Sequence, residues 1–296
     1  MAGGGSLWKR VHRQPLAFKL HWLLRLGVVM EYLGHGACGL HTKAAWLPYF
    51  RLFGIPDAAA WTLMPVVGSV DITLGIAALL APCRAVLLYM AVWGCFTAAL
   101  RPAAGEGIWE FVERSYNYGI PLLFLAMYSR DNARWRWFER LRVPDLRPAN
   151  CRHLLRGLRA VVVLMLIGHG GFGAFMLKKN LLGFYQSAGF GSLGLPLESV
   201  RSGIGFIEIG LGLLAIGAVD PRFFTFLFAW KFGSELLYPI SGASMACWEV
   251  VERGGSYVAP LAVVCLLRYL AEPEHRTCCA SGSVTRTATG AGADLT

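Results

Sequence analysis

The sequence predicts an all-α integral membrane protein made of two tandem four-helix bundles, with eight transmembrane helices. Three observations predict this fold class. Hydrophobic residues make up 55% of the 296 residues, charged residues make up only 16%, and the mean hydropathy is +0.49. Long apolar runs recur along the chain, and several polar motifs occur twice in the same order. A soluble domain carries about 25% charged residues, so a soluble enzyme and a disordered chain are both disfavoured.

Eight apolar segments have the length and composition of membrane helices, because a bilayer core needs roughly 20 apolar helical residues. The four segments of the first half are residues 21–40, 61–81, 84–100 and 108–128. Those of the second half are residues 158–177, 200–219, 223–240 and 254–270. We expect residues 1–20 to form a cytoplasmic arm, residues 129–157 an Arg-rich cytoplasmic linker, and residues 271–296 a disordered tail.

The net charge of +10 indicates topology and not nucleic-acid binding. Residues 1–25 carry a net +5, residues 129–160 carry a net +6, and the rest of the chain sums to −1. Basic segments stay on the cytoplasmic side of a membrane, and four spans return the chain to its starting side. We therefore expect the amino terminus, the linker and the carboxy terminus to be cytoplasmic, with the lipid bilayer as the surrounding partner and no nucleic acid bound. No leader peptide is expected at the amino terminus.

The two halves are similar in sequence. WEFVERSYNYGIPL at 109–122 is followed by WEVVERGGSYVAPL at 248–261, and the tripeptide Gly-His-Gly occurs at 34–36 and 168–170. VGSVDITLGI at 67–76 aligns with IGFIEIGLGL at 204–213. These matches are polar as well as apolar and keep their order, which predicts an internal duplication of a four-helix unit.

Each half resembles the DoxX-like family of four-helix membrane proteins. The residues that carry the resemblance are an Arg at the start of the first span, a Gly within it, a Lys after it, and an acidic residue in the next, Gly-rich helix. In the first half they are Arg25, Gly34, Lys43 and Asp71, and in the second half Arg159, Gly168, Lys178 and Glu208. The resemblance implies an integral membrane protein, in some members linked to thiosulfate:quinone oxidoreductase or to a partner redox protein.

The candidate functional residues are charged or ionisable residues inside the spans. Ionisable groups in a bilayer are costly and usually face the protein interior or a water-filled cavity. Asp71 and Glu208 align with each other, and so do His35 and His169. Glu31 lies one helical turn before His35 on the same face, whereas its counterpart is Met165. These five residues are candidates for a proton or ligand site, and hydrogen bonding that only packs the helices is the alternative.

Three further features are candidates for ion pairs or for a bridge. Glu110 with Arg114 and Glu249 with Arg253 have i, i+4 spacing, which favours ion pairs at the outer mouth, either as a structural lock or as a ligand site. Lys231 and Glu235 have the same spacing in the second half only. Cys38 and Cys247 both fall toward the outer face, and whether they pair stays open. Pro121 and Pro260 are expected to kink their helices.

No motif identifies a self-sufficient enzyme. The sequence contains no metal-binding Cys or His spacing, no phosphate-binding loop and no nucleophile elbow. No cofactor is identified, although a quinone fits the resemblance. Three functions stay open: a membrane subunit of a quinone-linked redox system, a small-solute or proton-coupled transporter with a site between the repeats, and a non-catalytic scaffold for a partner protein.

Overall fold

The computed structural model describes residues 15–128 and 136–272, and every regular element within these ranges is helical. The helices of the first half are α1 (Leu16–Leu40), α2 (Leu47–Arg51), α3 (Asp57–Leu80), α4 (Arg84–Ala103), α5 (Ile108–Glu113) and α6 (Ser115–Ala126). Those of the second half are α7 (Pro148–Ala174), α8 (Asn180–Ser187), α9 (Leu197–Gly217), α10 (Pro221–Glu235), α11 (Leu237–Ile240), α12 (Ala246–Glu252) and α13 (Gly254–Ala271). The predicted all-α class is confirmed.

Five segments of the described chain are long and apolar enough to cross a membrane, which supports a membrane protein. They are α3, α4, α7, α9 and the α12–α13 pair, Ala246–Ala271. The three other predicted spans do not reach this standard. Helix α1 has 25 residues but includes Lys19, Arg25 and Glu31, and α10 has only 15 residues. The span predicted at 108–128 is divided into α5 and α6, as its counterpart is into α12 and α13, but it carries Glu110, Glu113 and Arg114 within one 18-residue stretch.

The breaks between the short and long helices of each repeated segment lie at Arg114 and Arg253. Pro121 lies inside α6 and Pro260 inside α13, and both helices continue through them. At the breaks, Nη1 of Arg114 donates to the carbonyl oxygen of Glu110 at 3.1 Å, and Nη1 of Arg253 donates to that of Glu249 at 2.8 Å. The guanidinium groups thus satisfy carbonyls that a helix end leaves without partners.

The two halves share one hydrophobic core. Helix α5 packs on α7, the first long helix of the other half, and α12 packs on α1 in the same way. Helix α13 contacts both α1 and α7. Buried residues from both halves, such as Leu24, Ile120, Leu158 and Val263, belong to a single cluster. A separation into two four-helix bundles is therefore not confirmed, because each half supplies a helix to the other.

Glycines set the distance between the packed helices. A Cβ atom on Gly34 would overlap backbone atoms of Glu252 in α12, and a Cβ atom on Gly168 would overlap those of Glu113 in α5. Gly36 faces the carbonyl oxygen of Gly68 in α3 in the same manner. Close approach of backbones is how small residues join helices in membranes. These contacts place His35 and His169, which the glycines flank, against their partner helices.

The described part of the linker lies at the end of the bundle where α3 turns into α4. The amide of Ala85 donates to the carbonyl of Trp137 at 3.0 Å, and the amide of Leu141 donates to that of Pro82 at 2.7 Å. Helix α7 begins at Pro148, inside the segment predicted as linker. Residues 1–14, 129–135 and 273–296, which include most of the predicted arm and tail, lie outside the described residues.

Candidate functional site

Two histidine–carboxylate pairs form the centre of the site. Nδ1 of His35 on α1 lies 2.7 Å from Oδ2 of Asp71 on α3, and Nδ1 of His169 on α7 lies 2.6 Å from Oε2 of Glu208 on α9. Both carboxylates are buried, and both imidazoles are partly exposed. Sequence reasoning named all four residues but grouped His35 with Glu31. The structure pairs His35 with Asp71, since the Gly36–Gly68 contact brings α3 against α1.

A tryptophan completes one pair and not the other. Nε1 of Trp230 donates to the second oxygen of Glu208 at 3.0 Å. At the aligned position of the first half, Nε1 of Trp93 and Oδ1 of Asp71 are both buried, and neither has a hydrogen-bond partner in the described part of the chain. Aspartate is one methylene shorter than glutamate, so its carboxylate does not bridge the histidine and the tryptophan.

The repeated WE-x-VER segments carry a charge network that joins the halves. Glu110 and Arg114 form an ion pair at 2.6 Å, and Glu249 and Arg253 form one at 2.8 Å. Glu110 also accepts from Lys178 of the second half, and Glu249 accepts from Lys43 of the first half. Sequence reasoning found the local pairs from their spacing. It missed the crossed lysines as partners, because the sequence does not indicate that each half packs on the other.

The second half has an additional buried ion cluster. Nζ of Lys231 lies 2.7 Å from Oε1 of Glu235, and Nε of Arg253 lies 3.0 Å from Oε2 of the same carboxylate. Nη2 of Arg253 also donates to the hydroxyl of Tyr238 at 2.8 Å. With Glu249, which also pairs with Arg253, two cations face two carboxylates, and such pairing offsets the cost of burying the charges. The first half has Gly94 and Ala98 at the positions of Lys231 and Glu235.

A cavity of about 560 Å³ lies between the halves at this network. His169, Glu208 and Trp230 line it from the second half, and Lys43, Trp46 and Arg101 line it from the first. Its remaining walls are mainly aromatic or charged, and include Tyr49, Phe172, Lys178, Phe184, Tyr185, Phe190, Glu235, Tyr238 and Arg253. Aromatic walls with convergent polar groups are a feature of small-molecule sites, and this cavity adds to them an unusual number of charged side chains.

The first half has a smaller cavity of about 150 Å³ around His35. Trp46 stacks on the His35 ring with centroids 4.5 Å apart. Trp46, Tyr49, Arg101 and Arg114 line both cavities and separate them. The two aligned histidines are similarly exposed, 18% for His35 and 17% for His169, but they line different cavities, and only His35 has an indole stacked on its ring.

Two tyrosines in the short helices at the cavity are hydrogen-bond donors at neutral pH. Burial raises the pKa of the Tyr49 hydroxyl, and burial together with the charge of Glu208 raises the pKa of the Tyr185 hydroxyl. Tyr49 donates to Glu106. Because both phenols stay protonated, they add donors without adding charge.

Cys38 is buried and Cys247 is exposed, and both are free thiols. The Sγ atom of Cys38 and carboxylate oxygens of Glu249 and Glu252 lie within 4.8 Å of one another, so these three groups are near enough to share a metal ion. Glu249 is already bound by Lys43 and Arg253, however. The two consecutive cysteines Cys278 and Cys279 lie outside the described residues.

Comparison with known proteins gives no match: no family model, no curated protein and no solved structure is significantly similar to the chain.

Proposed function

We propose that the chain is a multi-pass membrane protein that binds a quinone-class molecule in the 560 Å³ cavity between its halves, as the membrane subunit of a redox system. One observation carries the proposal. His169, held by Glu208 through Nδ1, lines a cavity whose other walls include eight aromatic side chains. A quinone is a flat, apolar ring with two carbonyl acceptors, and it requires aromatic walls and a few donors.

The histidine is oriented for proton exchange with such a ligand. When Nδ1 of an imidazole is bound to a carboxylate, Nε2 is the nitrogen that remains for a ligand. Because Trp230 holds the second oxygen of Glu208, both the carboxylate and the ring are positioned. His169 then gives a proton to a carbonyl oxygen, or takes one from a hydroxyl, at Nε2.

The redox balance requires a partner protein. Reduction of a quinone to a quinol consumes two electrons and two protons. In this proposal a redox protein outside the chain supplies the electrons, and the His169–Glu208 pair delivers protons. The sequence resemblance to DoxX-like proteins supports this assignment. The equivalent contacts in the two halves support a separate part of the proposal, the duplication of a four-helix unit.

The proposed topology has eight membrane-crossing segments, with both termini and the linker cytoplasmic. The basic charge of the arm and linker supports it, together with the contact between the linker and the α3–α4 turn. A reporter active only in the cytoplasm should give signal when fused after residue 296. Signal from a periplasmic or lumenal reporter at the same position would contradict the topology.

The binding proposal is tested with 2-methyl-1,4-naphthoquinone on the purified chain in micelles, by quenching of tryptophan fluorescence. A charge-assisted hydrogen bond contributes about 1.5–3 kcal/mol, so His169→Gln should weaken binding by about 10-fold to 100-fold. His35→Gln is the matched control in the other half and should change binding less than about threefold, since His35 lines the separate, smaller cavity. As a ligand control, 2-methylnaphthalene lacks the carbonyls and should bind at least tenfold more weakly. Equal binding of both ligands, or equal effects of both variants, would contradict the proposal.

Transport of a small solute is the second candidate function, because helices of both halves line the cavity. Transporters with parallel repeats hold their substrates at such an interface. Under this alternative, His169→Gln would reduce uptake of a solute into proteoliposomes, and the naphthoquinone would not bind.

A further inference from the structure

A very small polar cavity lies inside the first half, separate from the two described above. Its volume is about 10 Å³, which is the size of a single water molecule or small ion. Seven residues line it: Glu31, Tyr32, His35, Trp93, Gly94, Thr97 and Asn117. None of the seven is a lysine or an arginine, and the carboxylate of Glu31 faces this space.

Oxygen atoms at this cavity lack partners. Oε2 of Glu31 and Oδ1 of Asn117 are buried without a hydrogen-bond partner in the described part of the chain, and so is Oδ1 of the neighbouring Asp71. Glu31 is 3% exposed, Asn117 6% and Asp71 0%. An acceptor buried without a partner costs roughly 1–3 kcal/mol, and more if it is charged. Nε1 of Trp93, which also lines the cavity, is a buried donor without a partner in the described residues. Two unpartnered acceptors at the cavity and a third nearby outnumber this donor, which points to a bound species that takes oxygen lone pairs.

The carboxylates around the cavity indicate the charge of the bound species. Glu31 interacts with the carboxylates of Asp71 and Glu252, so negative charges gather around the cavity. Of these, Asp71 has His35 as a partner on one oxygen only. A positively charged species between Glu31 and Asp71 would relieve the repulsion and occupy the free lone pairs.

The second half provides a comparison in which the cation belongs to the protein. The residue that aligns with Gly94 is Lys231, whose ammonium is fully buried and lies 2.7 Å from Glu235. Lys231 also interacts electrostatically with Glu208, the counterpart of Asp71. The residue that aligns with Glu31 is Met165. The second half thus has a lysine where the first half has Gly94 and the small cavity, and the first half has the acid Glu31 where the second half has Met165.

We propose that the first half binds one small monovalent cation of the sodium type in this cavity, held by Glu31 Oε2 and Asn117 Oδ1, with the nearby buried carboxylate of Asp71 adding negative charge. These are hard oxygen ligands, as such ions require. Ca²⁺ takes six to eight oxygen ligands, far more than the unpartnered oxygens here supply, and Mg²⁺ usually keeps several waters, which a cavity of about 10 Å³ does not hold. The site does not depend on the quinone proposal, because it lies in the other half.

Thermal unfolding of the full chain in micelles tests the site, with NaCl compared against choline chloride at the same ionic strength. A ligand that binds only the folded state stabilises it in proportion to the logarithm of its concentration above Kd. The midpoint should therefore rise with NaCl and not with choline chloride. Trp93 lines the cavity and supplies a second readout, a sodium-dependent change in fluorescence that Trp93→Phe removes.

Two variants and one matched control locate the response. Glu31→Gln and Asn117→Ala should each abolish the sodium-dependent shift or move it to at least tenfold higher concentration. Asn117→Ala is the second variant, because it keeps both carboxylates and can be measured even if Glu31→Gln does not fold. Glu208→Gln is the control in the second half and should retain the sodium shift of the parent chain.

Three outcomes would overturn the proposal. The first is the same midpoint in sodium and choline chloride up to 0.5 M salt. The second is a sodium shift that persists in both Glu31→Gln and Asn117→Ala. The third is stabilisation by calcium or magnesium with no response to sodium, which would exclude a monovalent site.

Discussion

The buried cluster of the second half predicts unequal effects for its two ion-pair partners. Glu235 accepts from two cations, Lys231 at 2.7 Å and Arg253 at 3.0 Å. Lys231, in contrast, forms its ion pair with Glu235. The side chains of Lys231 and Glu235 are 0% and 2% exposed. Replacing Glu235 with Met leaves the Lys231 ammonium buried without its partner, but replacing Lys231 with Met leaves Glu235 paired with Arg253.

The magnitudes follow from this difference. Breaking a buried ion pair so that a charge is stranded costs about 3–5 kcal/mol, whereas loss of one hydrogen bond to a charged group costs about 1.5–3 kcal/mol. We expect Glu235→Met to destabilise the protein by the larger amount and Lys231→Met by the smaller. The double variant should be more stable than Glu235→Met alone, because it removes the stranded ammonium.

Thermal unfolding in micelles, monitored by tryptophan fluorescence, gives the unfolding midpoint of each variant and so ranks the variants by stability. One kcal/mol corresponds to about 2–4 °C in a domain of this size class, so the two single variants should differ by several degrees. Ser234→Ala is the control, since Ser234 lies on the same helix and only donates to the carbonyl of Lys231. Equal midpoints for the two single variants, or a lower midpoint for Lys231→Met, would refute the reasoning.

Two other predictions concern packing and accessibility. Gly168→Ala should destabilise the protein by about 1–3 kcal/mol, because the added Cβ meets the backbone of Glu113. Gly183→Ala, in the exposed part of α8, is the control and should be neutral or stabilising by up to about 1 kcal/mol. Equal unfolding midpoints for the two variants would contradict this prediction. In variants that retain one cysteine each, a maleimide should label Cys247 in the folded protein and label Cys38 only after denaturation. Rapid labelling of Cys38 without denaturant would show that its surroundings are not packed as described.

The site was predictable from the sequence to the extent that it depends on residue type. Asp71, Glu208 and the two histidines are ionisable residues in apolar helices, and such residues rarely face lipid. The i, i+4 spacing of Glu110 and Arg114 predicts their contact, since it depends on helix geometry alone. The i, i+4 spacing of Glu31 and His35 predicts that they share one helix face, and both line the same small cavity. It does not indicate that the hydrogen-bond partner of His35 is Asp71, because that partner lies on another helix.

The sequence by itself determined the helical class, the positions of most long helices and the repeated order of polar residues. These properties depend on composition and local periodicity, which the chain carries residue by residue. Only the tertiary structure decided that α5 packs on α7 and α12 on α1, and thus that Lys178 reaches Glu110 and Lys43 reaches Glu249. The physical reason is that glycines at positions 34 and 168 remove the side chain at one point of each helix. Which backbone comes close enough to use that space depends on how both halves pack together, and this packing also separates the large cavity at His169 from the small one beside Glu31.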